Sequence, residues 1–184
     1  QIGGGSGVIK NIPDNSKVMG YPAKDIRKFL KDNWMTENLN KKQIEDLLPH
    51  RQPMLLIDEL RNIKKLKSAT AVVNVKKDSF FVQGHFPGEP VMPGVLIVEA
   101  FGQAAAALTA AGIDKKTYEN KLVFLMTVDK ARFRNPVIPD CRLELNIEAV
   151  RSHGRVWKYK GEAVVEGKKI ADAQWAATIV DRKK

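Results

Sequence analysis

Apolar positions first show a helical period after residue 40. Asn40 is a helix-capping residue, and Ile44, Leu47 and Leu48 then share one face until Pro49 stops the run. Residues 54–60 form a continuous apolar stretch of strand length, and 68–75 are rich in β-branched side chains. A Gly- and Pro-rich loop over 83–93 separates these from a long apolar segment. That segment predicts a buried helix from about residue 94 to 111, closed by Gly112. Beyond it lie strand candidates at 122–128, 132–136, 142–150, 156–166 and 170–181. Leu143, Leu145, Ile147 and Ala149 alternate onto one face, and His153-Gly154 and Glu166-Gly167-Lys168 mark turns. The pattern predicts an α+β layout, a long antiparallel sheet wrapped around a central apolar helix.

The opening residues read differently. Gly3 to Gly7 are turn-rich, Val8, Ile9 and Ile12 alternate loosely, and Asp14-Asn15-Ser16 is a turn signal. Pro22 suits a first helical turn, with Ile26, Phe29 and Leu30 as an apolar stripe. Such a fragment is too small to hold its own core, so 1–34 reads as an appendage and 35–184 as the main domain. Met35 is a candidate natural start, and Gln1 implies a chain begun within a longer reading frame or trimmed.

Residues 91–113 are long enough to cross a bilayer. Glu99 and Gln103 lie near the middle, however, and a mid-membrane Glu costs about 2.5 kcal/mol or more. A helix buried in a protein core, with no membrane span, is the expectation. Lys plus Arg number 31 and Asp plus Glu 21, a net charge of +10. No nucleic-acid motif and no interleaving of basic with aromatic residues accompanies that charge, so nucleic acid is not expected and an acidic protein partner fits better. One cysteine, Cys141, excludes an internal disulfide and a cysteine metal cluster. No secretory signal opens the chain, which makes the cytoplasm the expected setting.

The chemistry concentrates in residues 84–103, GHFPGEPVMPGVLIVEAFGQ. His85 precedes the helix in a loop stiffened by Pro87, Pro90 and Pro93. Glu99 and Gln103 are four apart, one above the other on one helix face. The amides of Gly94 and Val95 sit at the positive helix end, suited to a developing oxyanion. Apolar neighbours are expected to raise the Glu99 pKa and leave a proton to donate, while a neutral His is a competent base. A base, an acid and an amide donor suit β-elimination beside a thioester carbonyl, with no metal and no cofactor. A structural His in the loop and a buried Glu satisfied by Gln103 are the plainer alternatives.

This stretch, preceded by LLPHRQPMLLIDEL and followed by FLMTVDKARFRNPVIP, closely resembles the bacterial (3R)-3-hydroxyacyl-[acyl-carrier-protein] dehydratases of the FabZ type. The resemblance runs from about Met35 to the end. It implies a hot-dog fold, protomers paired side by side, and dehydration of 3-hydroxyacyl chains to trans-2-enoyl chains in fatty-acid elongation. It also implies a dimer at least and a hexamer built as a trimer of dimers. By the same resemblance His85 is the base and Glu99 the acid, supplied by opposite protomers. Gly94 N–H binds the thioester oxygen, the Val91 carbonyl orients the His ring, and Gln103 holds Glu99. Phe133 and Pro136 are expected in the acyl tunnel, with core packing the alternative. The acyl chain arrives on an acidic carrier protein, for which Arg132, Arg134, Arg151, Arg155, Lys158 and Lys160 are docking candidates.

Asp140-Cys141 follows Pro139 where the family has Gly-Asp, and Gln52 stands where an aromatic is common. Cys141 is expected to be inert. Residues 2–30 resemble the C-terminal end of the left-handed β-helix acyltransferase of lipid A synthesis, without its catalytic parts. Two other functions fit the same fold, a thioesterase and a non-catalytic acyl-binding regulator.

Overall fold

The computed structural model describes residues 1–2, 8, 11–19, 24–25, 38–113, 118 and 120–181. It divides into two compact units, Gln1–Thr36 and Glu37–Lys184. In the first, Val18–Met19 (β1) pairs antiparallel with Lys24–Asp25 (β2), and Ile2 bridges Val18. Asn15 takes φ 61 in the turn expected at Asp14-Asn15-Ser16. The helix expected from Pro22 is not what Lys24 and Asp25 form, since both are strand. Pro22, Ile26, Phe29, Leu30 and Met35 lie outside the described residues.

The second unit begins with Leu39–Asn40 (β3) and helix Lys41–Leu47 (α1). Asn40 caps α1 by accepting the Gln43 N–H at 3.0 Å, while the Gln43 side chain accepts the Asn40 N–H at 2.9 Å. Ile44 and Leu48 are fully buried under it. Next come Glu59–Lys64 (β4), Ser68–Val75 (β5), helix Gly94–Gly112 (α2), Lys121–Phe133 (β6), Cys141–His153 (β7), Val156–Val165 (β8) and Lys168–Asp181 (β9). The seven strands form one antiparallel sheet in the order β3-β4-β5-β7-β8-β9-β6.

The sheet wraps α2, as the hydrophobic pattern predicts. Ile97, Ala100, Phe101, Ala104, Ala105, Ala107 and Leu108 of the helix are buried with Leu143, Leu145, Ile147, Ala163 and Trp175 of the strands. The alanines keep the helix thin on its inner side, so the sheet can close over it. Although α2 is long and apolar enough to cross a membrane, most of it is buried within the unit.

Two strand boundaries differ from expectation. The apolar run 54–60 becomes strand only at Glu59, because the backbone before it is bound by a side chain: Gln103 takes the Met54 carbonyl and the Leu56 N–H. The candidate 122–128 and the first two residues of 132–136 are one strand, β6, which absorbs register shifts between Leu125 and Thr127 and between Asp129 and Arg132, while 134–136 lie beyond its end. Lys130, at φ 52, turns the chain inside the second shift.

Candidate active site

The loop ahead of α2 is held by its own backbone. His85 N–H donates to Phe81 O at 3.0 Å, Val91 N–H donates to His85 O at 2.8 Å, and Phe86 and Glu89 exchange bonds of 3.1 Å in both directions. Gly88 at φ 82 makes the reversal between them possible. Met92 N–H donates to Val137 O at 2.9 Å, tying the loop to the segment after β6. Those bonds fix the imidazole, whose Nδ1 lies 2.7 Å from the Val91 carbonyl. A carbonyl only accepts, so Nδ1 carries the hydrogen and Nε2 keeps its lone pair. That leaves His85 Nε2 able to accept a proton.

A cavity of about 420 Å³ opens beside it, lined by His85, Val91, Met92, Gly94, Ile97, Phe133, Arg134, Asn135, Pro136 and Val137. The loop, the helix start and the far end of β6 therefore meet at one place. Helix α2 begins after Pro93 with no side-chain cap, leaving its first amides for a ligand. Val95, the second amide candidate, stands beside Gly94 and is 75% exposed. The Phe133 ring lies so close over Gly94 that a Cβ there would stand 3.0 Å from it.

Glu99 does not line that cavity. Its Oε1 accepts from Gln103 Nε2 at 2.9 Å and lies 3.4 Å from His50 Nε2. Gln103, almost wholly buried, spends its whole amide: Nε2 also donates to Met54 O at 2.7 Å, and Oε1 accepts the Leu56 N–H at 2.9 Å. The sequence reading of Glu99 needs correcting here. The Glu99 side chain is 35% exposed, and its pKa lies below the ordinary value. The His50 hydrogen bond is the largest cause, burial opposes it, and Gln103 adds to the lowering. Residue 50 was not among the expected site residues, because nothing in its spacing brings it to α2.

Of the basic candidates, Arg132 and Lys160 line one groove together with Lys130 and Lys169. Arg134 pairs with Asp172, and Lys160 pairs across the strands with Glu148 at 3.0 Å. Lys158 and Lys160 point away from the buried Tyr159, on the solvent side of β8. Arg132, Arg151 and Lys158 have no ion-pair partner among the described residues, and Arg155 acts on Asp181. At the departure from the family pattern, Asp140 accepts the Lys77 N–H at 2.8 Å, and Gln52 donates to Leu55 O at 3.0 Å. Cys141 opens β7 with its pKa pushed up by burial, as expected of an unreactive thiol.

Among solved structures, the fold is similar to the dehydratase heterocomplex ApeI:P of Xenorhabdus doucetiae. The TM-score is 0.65 at 18% identity, over 77% of this chain and 91% of that one. It is also similar to Cj0977 of Campylobacter jejuni, with TM-score 0.55 at 16% identity over 77% and 90%. These likenesses carry the hot-dog fold. Residues 48–174 match the FabA-like domain. The chain is 50% identical over 140 residues to the 3-hydroxyacyl-[acyl-carrier-protein] dehydratase FabZ of Myxococcus xanthus, covering 76% of this chain and 91% of the relative. It is 43% identical over 150 residues to the FabZ of Rhodospirillum rubrum, covering 82% and 93%. With a FabA-like domain across most of its length and relatives of this closeness, the chain belongs to the FabZ family of 3-hydroxyacyl-[acyl-carrier-protein] dehydratases.

Proposed function

We propose that this protein dehydrates (3R)-3-hydroxyacyl-[acyl-carrier-protein] to the trans-2-enoyl thioester in fatty-acid synthesis, acting as a hydro-lyase without cofactor. The observation that carries the reading is the imidazole fixed with Nε2 bare at the rim of an apolar cavity, beside the uncapped start of a helix. His85 Nε2 takes the C2 proton. Negative charge grows on the thioester oxygen, where the Gly94 N–H, seconded by Val95, receives it. The electron pair closes the C2–C3 double bond, the C3–O bond breaks, and the departing hydroxyl takes a proton from the protonated fraction of Glu99, a fraction the lowered pKa makes small, and leaves as water. Solvent returns the protons, from imidazolium to carboxylate.

Within one protomer Glu99 lies off the cavity, so the acid that meets His85 comes from a second copy. The edge strand β6 supports that pairing. Phe124, Leu125, Met126 and Val128 stand exposed along a strand whose outer edge has no neighbour among the described residues. A side-by-side dimer covers them, and a trimer of dimers is the assembly the family resemblance suggests. Phe133 and Pro136 line the route of the acyl chain. The carrier is an acidic protein steered by the +10 net charge. Arg132, Arg151, Arg155 and Lys158 remain its docking candidates, while the ion pairs of Arg134 and Lys160 compete with such a role. The setting is the cytoplasm. Residues 1–34, which resemble the tail of a lipid A acyltransferase without its catalytic parts, take no part in the reaction, whether they belong to a natural fusion or to an extended reading frame.

His85→Ala and Glu99→Gln each lower enoyl formation by about a thousandfold or more while the assembly persists. Mixing the two inactive variants under subunit exchange restores about a quarter of normal activity, since half the dimers are hybrids with one of two sites intact. Turnover near normal in either variant overturns the role assignment. No recovery on mixing overturns the shared site. Following free thiol against the enoyl chromophore separates elimination from hydrolysis.

A further inference from the structure

His50 sits in the segment after α1, and its Nε2 lies 3.4 Å from Glu99 Oε1. Its other ring nitrogen, Nδ1, is buried with no hydrogen-bond partner. A hydrogen on Nδ1 would be a buried donor with no acceptor, which is costly, whereas a bare lone pair costs less. The hydrogen therefore sits on Nε2, the ring nitrogen nearest the carboxyl. Gln103 Nε2 donates to that same oxygen at 2.9 Å. Gln103 thus donates to Oε1 with the His50 Nε2 close to the same oxygen, and among the described residues no side chain donates to Oε2.

We propose that His50 is a positioning residue of the dehydration. Its Nε2–H and the Gln103 amide anchor Oε1, so that Oε2 carries the departing proton and the carboxylate left behind forms against two ready donors. This rests on the reading of Glu99 as the acid. The step balances: Oε2–H breaks, the hydroxyl oxygen gains the proton and leaves as water, and the carboxylate charge spreads to the oxygen already bound. Because the hydrogen bond is stronger to the anion than to the acid, His50 favours the state that follows transfer.

Few other groups face this carboxyl. Gln103 comes from its own helix, and Met54 and Leu56 opposite contribute backbone atoms already held by that amide. The Arg51 guanidinium turns to the Leu48 and His50 carbonyls instead. The lowered pKa of Glu99, owed first to His50, agrees with this arrangement.

The test uses the full, assembled chain. His50→Ala lowers kcat roughly ten- to hundredfold, the rate equivalent of a hydrogen bond to a charged group, with KM little changed. His50→Gln restores much of the loss, since its Nε2 can reach the place of the imidazole Nε2. In a carbon-NMR titration, the carboxyl signal that vanishes in Glu99→Gln moves to higher pH in His50→Ala and stays close to normal in His50→Gln. If His50→Ala fails to assemble, His50→Met, of similar bulk and without a donor, carries the same measurements. Normal kcat, or an unmoved Glu99 titration, in the donor-less variant overturns the proposal. Glu99→Gln assayed alongside keeps the failures apart: if it turns over normally, the acid role itself has failed. If it is dead while His50→Ala is normal, only the part given to His50 has failed.

Discussion

At the scale of residues, the site is a set of tautomers and close approaches. The Val91 carbonyl decides which nitrogen of His85 is bare, and a backbone acceptor cannot be titrated away. Gly94 is constrained from the other side, since any side chain there meets the Phe133 ring at 3.0 Å. Gly94→Ala displaces that ring over the helix start. Its expected cost is about tenfold or more in kcat/KM, the order seen when one oxyanion donor is misplaced. Phe133→Leu in the same chain makes room and returns part of the loss, as steady-state kinetics on the two variants would report. Tyr159 offers a second residue-scale test. Thr109 gives its only hydroxyl hydrogen to Ala105 O at 2.8 Å, so Tyr159 donates to Thr109 across 2.5 Å. Burial pushes the Tyr159 phenol up to about 12, and Tyr118 likewise. A folded pKa above the unfolded one supplies stability that is complete below the ordinary tyrosine value of about 10 and is lost as pH climbs from there towards 12. Denaturant midpoints across that window should fall more steeply for the native protein than for Tyr159→Phe. Equal slopes contradict the assignment.

At the scale of elements, periodicity carried most of the fold. The clean alternation of 142–150 lies within β7, and the β-branched run 68–75 is β5 residue for residue. What the letters left out were places where a side chain or a bulge replaces ladder bonds. Gln103 occupies the backbone before β4, and the register shifts of β6 join one candidate and the start of the next into one strand. The site was legible in the same uneven way. His85, Gly94 and Gln103 follow from spacing around a single helix start. His50 reaches Glu99 from 49 residues upstream, so the sign of the Glu99 shift could not be read from helix neighbours alone. Packing gives this scale its own prediction. A Cβ on Gly161 of β8 would stand 2.7 Å from the Phe101 ring and 2.9 Å from Trp175, which stack with centroids 5.2 Å apart. Gly161→Ala overpacks the contact between sheet and helix and costs about 1–3 kcal/mol in chemical denaturation. A neutral result would mean the aromatic stack yields freely.

At the scale of the whole molecule, the sheet is closed around α2 but open along β6. An apolar edge strand of that length invites pairing, and the chemistry proposed here uses it. Met126→Glu places a charge in the middle of that edge without touching His85, Gly94 or Gln103. Sedimentation should show a lighter species with helix and sheet content intact, and enoyl formation should fall with it. Retained mass with retained activity would place the contact elsewhere. The excess of cations acts at the same scale, as a field over the surface rather than as one bond, so added salt should raise KM for the carrier-bound substrate more than it changes kcat.

Gln103 leaves one consequence for the lifetime of the protein. Its amide nitrogen faces two acceptors, the Met54 carbonyl and Glu99 Oε1, and its oxygen faces one donor. Slow hydrolysis of that amide would exchange the nitrogen for an oxygen and set like against like at both contacts, spoiling the fold and the acid in one event. Buried in the middle of a helix, the side chain least able to survive such chemical ageing is also among those least open to the water that causes it.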